Sequence, residues 1–143
     1  MLSEKIKEYL KEESLYDETE DENYQRVITK LNIDQNSAFA DFNTHTNAVT
    51  FSGKGNDLYN VCWFAINSSY YAQVKNMSIA LKLPEEYIPL DSFEGEGGYF
   101  YNRNTGQVLE LELGNNYVAF QNGTLQPQWD DFISFLEWYF EIA

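Results

Sequence analysis

Between Ile88 and Gly123 short apolar runs alternate with turns rich in Gly and Asn, and no other feature narrows the fold so far. Ile88-Pro89-Leu90 leads to Gly95-Glu96-Gly97-Gly98, then Tyr99-Phe100-Tyr101, Asn102-Arg103-Asn104-Thr105-Gly106 and Gln107 to Leu113. Short apolar runs bounded by Gly and Asn clusters match strands joined by tight turns. Pro89 has no amide donor, which predicts an edge or entry strand. Val108, Leu109, Leu111 and Leu113 supply buried positions. Asn115-Asn116 predicts another turn, Tyr117 to Gln121 another strand, and Asn122-Gly123 a hairpin-type turn. The segment reads as an antiparallel meander.

Helical periodicity lies on either side of it. Leu2, Ile6, Tyr9 and Leu10 follow the i, i+4, i+7, i+8 rhythm of a surface helix, with Ser3 as N-cap and Glu4 in the first turn. Val27, Ile28 and Leu31 predict a short second helix, and Ala38, Phe39 and Phe42 a third over 36–43. At the end of the chain, Trp129, Phe132, Phe135, Leu136, Tyr139 and Phe140 line one face of a closing helix. Pro127 suits its first turn, and Asp130 and Asp131 suit its positive end. Ala48 to Phe51 and Leu58 to Ile66 read as strands around the turn Ser52 to Asp57. Residues 68–82 stay open. Tyr71, Val74 and Ser78 fit a helix face, while Met77 to Leu81 alternates as a strand does. With no internal repeat, linker or composition break, residues 1–143 form one α+β domain, mainly antiparallel sheet flanked by N-terminal and C-terminal helices.

Composition bounds the partners. The 143 residues carry 23 acids against 9 Lys+Arg, a formal net charge of −14. Such a charge favours disorder, but 43% hydrophobic residues and 24 aromatics supply a core that outweighs it. The same charge disfavours direct binding to nucleic acid or an anionic membrane. Glu12 to Glu22 holds seven acids and no base, which predicts a solvated loop or frayed helix end. No apolar run approaches a membrane span, and the N-terminus has no secretion signal, so the expected location is the cytoplasm. Cys62, the one cysteine, sits in an apolar run and reads as a small buried hydrophobe.

Little in the chain spells out catalysis. His45 is the only histidine and fits a loop or cap; no Gly-x-Ser-x-Gly elbow accompanies it. Gly95 to Gly98 lacks phosphate-loop spacing, and Glu94 and Glu96 would repel a phosphate. No Ca²⁺ loop motif is present. Asp91, Glu94 and Glu96, or Glu110 and Glu112, could flank a glycosidic bond, which keeps a small carboxylate-dependent hydrolase in view. No catalytic residue, metal ligand or cofactor is predicted.

The position of the charge says more than its size. From Leu83 onward there are eleven acids and a single base, Arg103. A field of that sign steers a basic partner, and exposed Tyr and Trp within it would anchor one. The alternative is a solubility surface with the aromatics in the core. Charge alone leaves the two balanced.

A resemblance adds to this. Leu83-Pro84-Glu85-Glu86-Tyr87-Ile88-Pro89-Leu90-Asp91 runs into Phe93-Glu94-Gly95-Glu96-Gly97-Gly98-Tyr99-Phe100-Tyr101. Gly106-Gln107-Val108-Leu109 follows, and then Trp129-Asp130-Asp131-Phe132-Ile133-Ser134-Phe135-Leu136-Glu137-Trp138. In this order the motifs resemble the SUKH superfamily, the Smi/Knr-like immunity proteins of bacterial polymorphic toxin systems. The match spans residues 83–138; upstream, Ala38-Phe39-Ala40-Asp41-Phe42 is a degenerate version of a family helix that lacks its proline. The resemblance implies a SUKH-like domain that binds and neutralises a cognate toxin without catalysis, often a nuclease whose active site is basic. Charge and turn exposure then point to Asp91, Glu94, Glu96, Tyr99, Tyr101, Glu110 and Glu112 as the partner-binding residues. Tyr99 and Tyr101 share a sheet face and suit the core equally well. A regulatory interaction scaffold of the same fold and a nucleic-acid mimic are the further alternatives.

Overall fold

A computed structural model describes residues 1–142. These form seven α-helices and two antiparallel sheets of two and three strands.

Short polar residues start the helices. Helix α1 (Glu4–Glu12) is capped by Ser3, whose hydroxyl accepts from the Ile6 amide, and it buries Ile6 and Leu10. In α2 (Glu22–Lys30) the cap is Asp21, which accepts from Asn23 N at 2.8 Å. The run of seven acids therefore divides: Glu12 ends α1, Asp21 and Glu22 start α2, and the linking residues lie largely exposed. Helix α3 (Ala38–Thr44) starts at Ser37 and is buried from Phe39 to Thr44, so it forms the centre of the molecule. Inside it Asp41 accepts from Leu2 N at 2.9 Å and lies 2.9 Å from His45 Nδ1, which fastens the N-terminus to the core. His45 is the C-cap of α3, a structural place at the opposite end from an N-cap.

Strands β1 (Thr50–Phe51) and β2 (Leu58–Tyr59) form a small hairpin. The apolar run that follows is not the strand expected over 58–66. Asn60 accepts from Trp63 N at 3.0 Å and starts α4 (Val61–Asn67), which buries Val61, Cys62 and Ala65. A short all-apolar run fits a buried strand and a buried helix equally, and the cap decides between them. Cys62 is buried, and burial pushes its thiol well above the ordinary range. The open segment 68–82 is helix α5 (Tyr70–Leu81), whose Tyr70 hydroxyl donates to Pro89 O at 2.7 Å.

Strands β3 (Tyr87–Pro89), β4 (Gly97–Asn102) and β5 (Val108–Glu112) make the main sheet in the order β3-β4-β5, so Pro89 does lie on an edge. Register pairs Tyr99 with Glu110 and Tyr101 with Val108, which places these four side chains on one face. Under that face lie α3 and α7 (Phe132–Tyr139), capped by Asp131. Phe39 stacks on Tyr101 at 4.3 Å between centroids, and Tyr99 packs on Phe135 at 5.1 Å. Aromatic pairs of this kind add about 0.5–1.5 kcal/mol each beyond their burial. On the other face Phe100, Leu109 and Leu111 join Leu81 and Leu83 in a second cluster.

The expected fourth strand at 117–121 is helix α6 (Tyr117–Gln121), which roofs this second cluster with Tyr117 and Phe120. Side chains take the place at β5 that a fourth strand would fill. Gln128 accepts from Glu110 N at 2.8 Å and donates to Glu110 O at 3.1 Å. Asn116 accepts from Glu112 N at 2.7 Å, and Trp129 exchanges both backbone bonds with Val108. Pro127 belongs to this edge-sealing segment and precedes α7. An exposed strand edge invites pairing with another chain, and these contacts close it. Among the described residues no helix is long and apolar enough to cross a membrane.

Candidate partner-binding site

The turn between β3 and β4 carries the predicted acids and is held in an unusual shape. Phe93, Gly95 and Glu96 all have positive φ, at 58°, 69° and 62°. Left-handed backbone costs a non-glycine residue on the order of 1 kcal/mol or more, so something must hold it. Two groups do. Asp91 accepts from Phe93 N at 2.9 Å and from Tyr99 N at 3.2 Å, which closes the base of the turn. Asn56, in the β1–β2 loop, donates to Glu94 O at 3.1 Å and Gly97 O at 2.8 Å. Leu113 N adds a bond to Glu96 O at 2.9 Å.

Asp91 is thus a structural carboxylate. It is 1% exposed, and its side chain occupies the space beside Gly98 that a Cβ would fill. Burial pushes its pKa up to about 6, against the downward pull of the two amides, with Glu110 adding repulsion. Tyr99 and Tyr101 are each 4% exposed and belong to the core between the sheet and α7. These three residues are therefore not available to a partner's surface. The turn is exposed, whereas its flanking strand is covered on both faces.

Glu94, Glu96 and Glu112 are exposed and Glu110 is half-buried. Glu94, Glu110 and Glu112 line one shallow cavity of about 200 Å³, floored by Gly97, Gly98 and the edge of Tyr99, with Gly55 and Asn56 opposite. Glu96 lies on the same turn, outside the cavity. Burial and the neighbouring Glu112 raise the pKa of Glu110. Among the described residues none of these four glutamates has a Lys, Arg or His partner within ion-pair distance. No group of three His, Cys, Asp or Glu among the described residues is arranged to hold a metal.

The sequence reading leaves out Asn56 and names exposed Tyr and Trp as anchors without singling out Trp138. Asn56, the clamp on the acidic turn, lies 38 residues from the Glu94 carbonyl it binds, and nothing in its own segment marks it. Trp138 is 39% exposed, 4.7 Å from Trp129 and 6.0 Å from Tyr99 between ring centroids. It stands on the rim of the aromatic cluster next to Tyr99, with Lys54 Nζ 5.3 Å from its ring centre, and its exposed part is able to anchor a partner. With this geometry established, comparison with known proteins adds no relative. No protein-family model matches the chain, and no curated protein or solved structure matches it.

Proposed function

We propose that the protein is a non-catalytic immunity protein of the SUKH type, acting in the cytoplasm by binding a basic protein toxin, a nuclease by preference, and blocking it. The observation that carries this reading is the set of unpaired glutamates 94, 96, 110 and 112 around a braced turn. Carboxylates with no cation of their own keep their full field for a partner's Lys and Arg. The bracing by Asn56 and Asp91 supports it too, because a preorganised surface loses less entropy when it binds. Trp138 supplies an aromatic anchor beside the charge.

A nuclease must bind phosphate with a basic surface, so an acidic inhibitor competes for the same groups as its substrate. For the hydrolase alternative, the buried Asp91 is sealed from solvent and bonded to two amides, which leaves Glu110, whose pKa burial also raises, as its candidate acid in the cavity beside Glu112.

The reading is tested by co-expressing the chain with the product of the adjacent upstream gene. Growth arrest by the neighbour alone, relieved by this protein and accompanied by co-purification of the two, is expected. A harmless neighbour, or a toxic one neither relieved nor bound, would overturn it.

A further inference from the structure

Between Asp57 and Glu85 the chain has no acidic residue, although it carries 23 acids in 143 residues. That window builds α4 and α5, and the outer side of α5 departs from the rest of the surface in both charge and polarity. Tyr71, Val74, Lys75, Ser78 and Ile79 stand at i, i+3, i+4, i+7 and i+8, one helical face about 12 Å long. They form one wall of an open groove of about 450 Å³, with Glu85 and Arg103 on the other side. Ile79 is 69% exposed, the most exposed of the large hydrophobic residues in the described chain.

Cations gather at this groove. Lys75 and Arg103 line it, and Lys30 Nζ lies 4.0 Å from the ring centre of Tyr71. Among the described residues, Lys5, Lys11, Arg26 and Lys54 form ion pairs with carboxylates, whereas Lys7, Lys30, Lys75, Lys82 and Arg103 form none. Arg103 is held in place by donating to Leu31 O at 3.3 Å, which leaves the other guanidinium donors for a ligand. Lys75 and Arg103 in the groove, and Lys30 beside it on Tyr71, thus carry no carboxylate partner next to the apolar side chains of Val74 and Ile79.

We propose that this groove docks an acidic amphipathic segment of a protein partner, its apolar side chains on Val74 and Ile79 and its carboxylates on Lys30, Lys75 and Arg103. The match is one of charge and length: two turns of a helix cover the α5 face, in the manner of helix-in-groove recognition. A nucleic acid fits less well, because its phosphates have no use for the Val74–Ile79 floor and the field of the whole molecule repels a polyanion. Glu85 on the rim further selects against a ligand acidic all round. This site is separate from the glutamate-lined cavity and has the opposite preference, so it stands whether or not the basic-partner reading holds.

Synthetic 14-residue helical peptides of Leu with Glu, Leu with Gln and Leu with Lys test the proposal by calorimetry and by amide shifts of the full-length protein. The Leu/Glu peptide should bind tightest and move amides of α5 and around Arg103. Lys75→Glu and Ile79→Ser, both at exposed positions, should each weaken it by about tenfold or more. A Glu110→Gln/Glu112→Gln variant should leave it unchanged. Equal binding by the Leu/Gln or Leu/Lys peptide, shifts located elsewhere, insensitivity to Lys75→Glu, or tighter binding of a short RNA at the same amides would each overturn it.

Discussion

The β3–β5 end of the molecule and the outer face of α5 are both exposed, yet they have opposite chemistry. The first presents glutamates with no cation beside them on a turn clamped by Asn56 and Asp91. The second presents apolar side chains and Lys75 on a regular helix without an acid, with Lys30 and Arg103 beside it on neighbouring elements. A charge of −14 spread only for solubility would not leave a whole helix bare of carboxylates. The difference shows that charge here is segregated by element, and that net charge alone describes neither surface. It also separates two ways of holding a surface. A helix needs only its own hydrogen bonds, whereas the acidic turn depends on long-range clamps and is the easier of the two to break.

The largest effect should come from Gly98→Ala. The added Cβ would run into the Asp91 carboxyl, whose Cγ would lie 3.0 Å away, with β3 and β4 both fixed by their pairing. We expect a loss of about 3 kcal/mol in urea unfolding, the upper end of overpacking costs. α5 amide shifts should stay in place in the folded fraction. Loss of the α5 pattern as well would show that the two regions are not independent.

The next effect is a pH dependence. The folded-state pKa of Asp91 is raised from 3.8 to about 6. Its neutral form therefore favours the folded state, fully so below the unfolded pKa. That contribution is lost as pH rises from about 4 through 6. The shift corresponds to about 3 kcal/mol. Asp91→Asn cannot ionise and keeps one acceptor oxygen. Its stability relative to wild type should thus improve by about this amount between pH 4 and pH 7 in paired denaturation curves. A flat difference would contradict the burial-driven rise in the Asp91 pKa.

The smallest effect sharpens the contrast from the other side. Glu94→Gln with Glu96→Gln removes two exposed, unpaired charges and should change stability by less than about 0.5 kcal/mol. A marked loss would mean that these acids serve the fold and are not free for a partner.

Much of the architecture was legible from local signals. Ser3 and Asp131 each stand before an apolar stripe, and each starts a helix. The Gly- and Asn-bearing turns around Tyr99 to Tyr101 and Val108 to Leu113 marked β4 and β5, and Pro89 marked the edge. Residues 61–67 and 117–121 read as strands and fold as helices, because five to seven mostly apolar residues have no decisive period. The site was half legible. Turn residues placed Glu94 and Glu96 in solvent, but alternation tells which residues share a face and not whether that face is covered. Tyr99, Tyr101 and Asp91 are buried for that reason. Asn56, Asn116 and Gln128 act across the fold through single side-chain amides, which leave no pattern in the sequence around them.

The central claim is that the glutamate-bearing turn is a docking surface for a basic protein. The most direct measurement is the affinity of the co-purified neighbour product for wild type and for Glu94→Lys/Glu112→Lys, titrated from about 50 mM to about 500 mM salt. The account predicts a steep fall with salt for wild type, and a loss of about tenfold or more in the variant at low salt with the fold intact. Affinity that ignores salt and survives both charge reversals would contradict it.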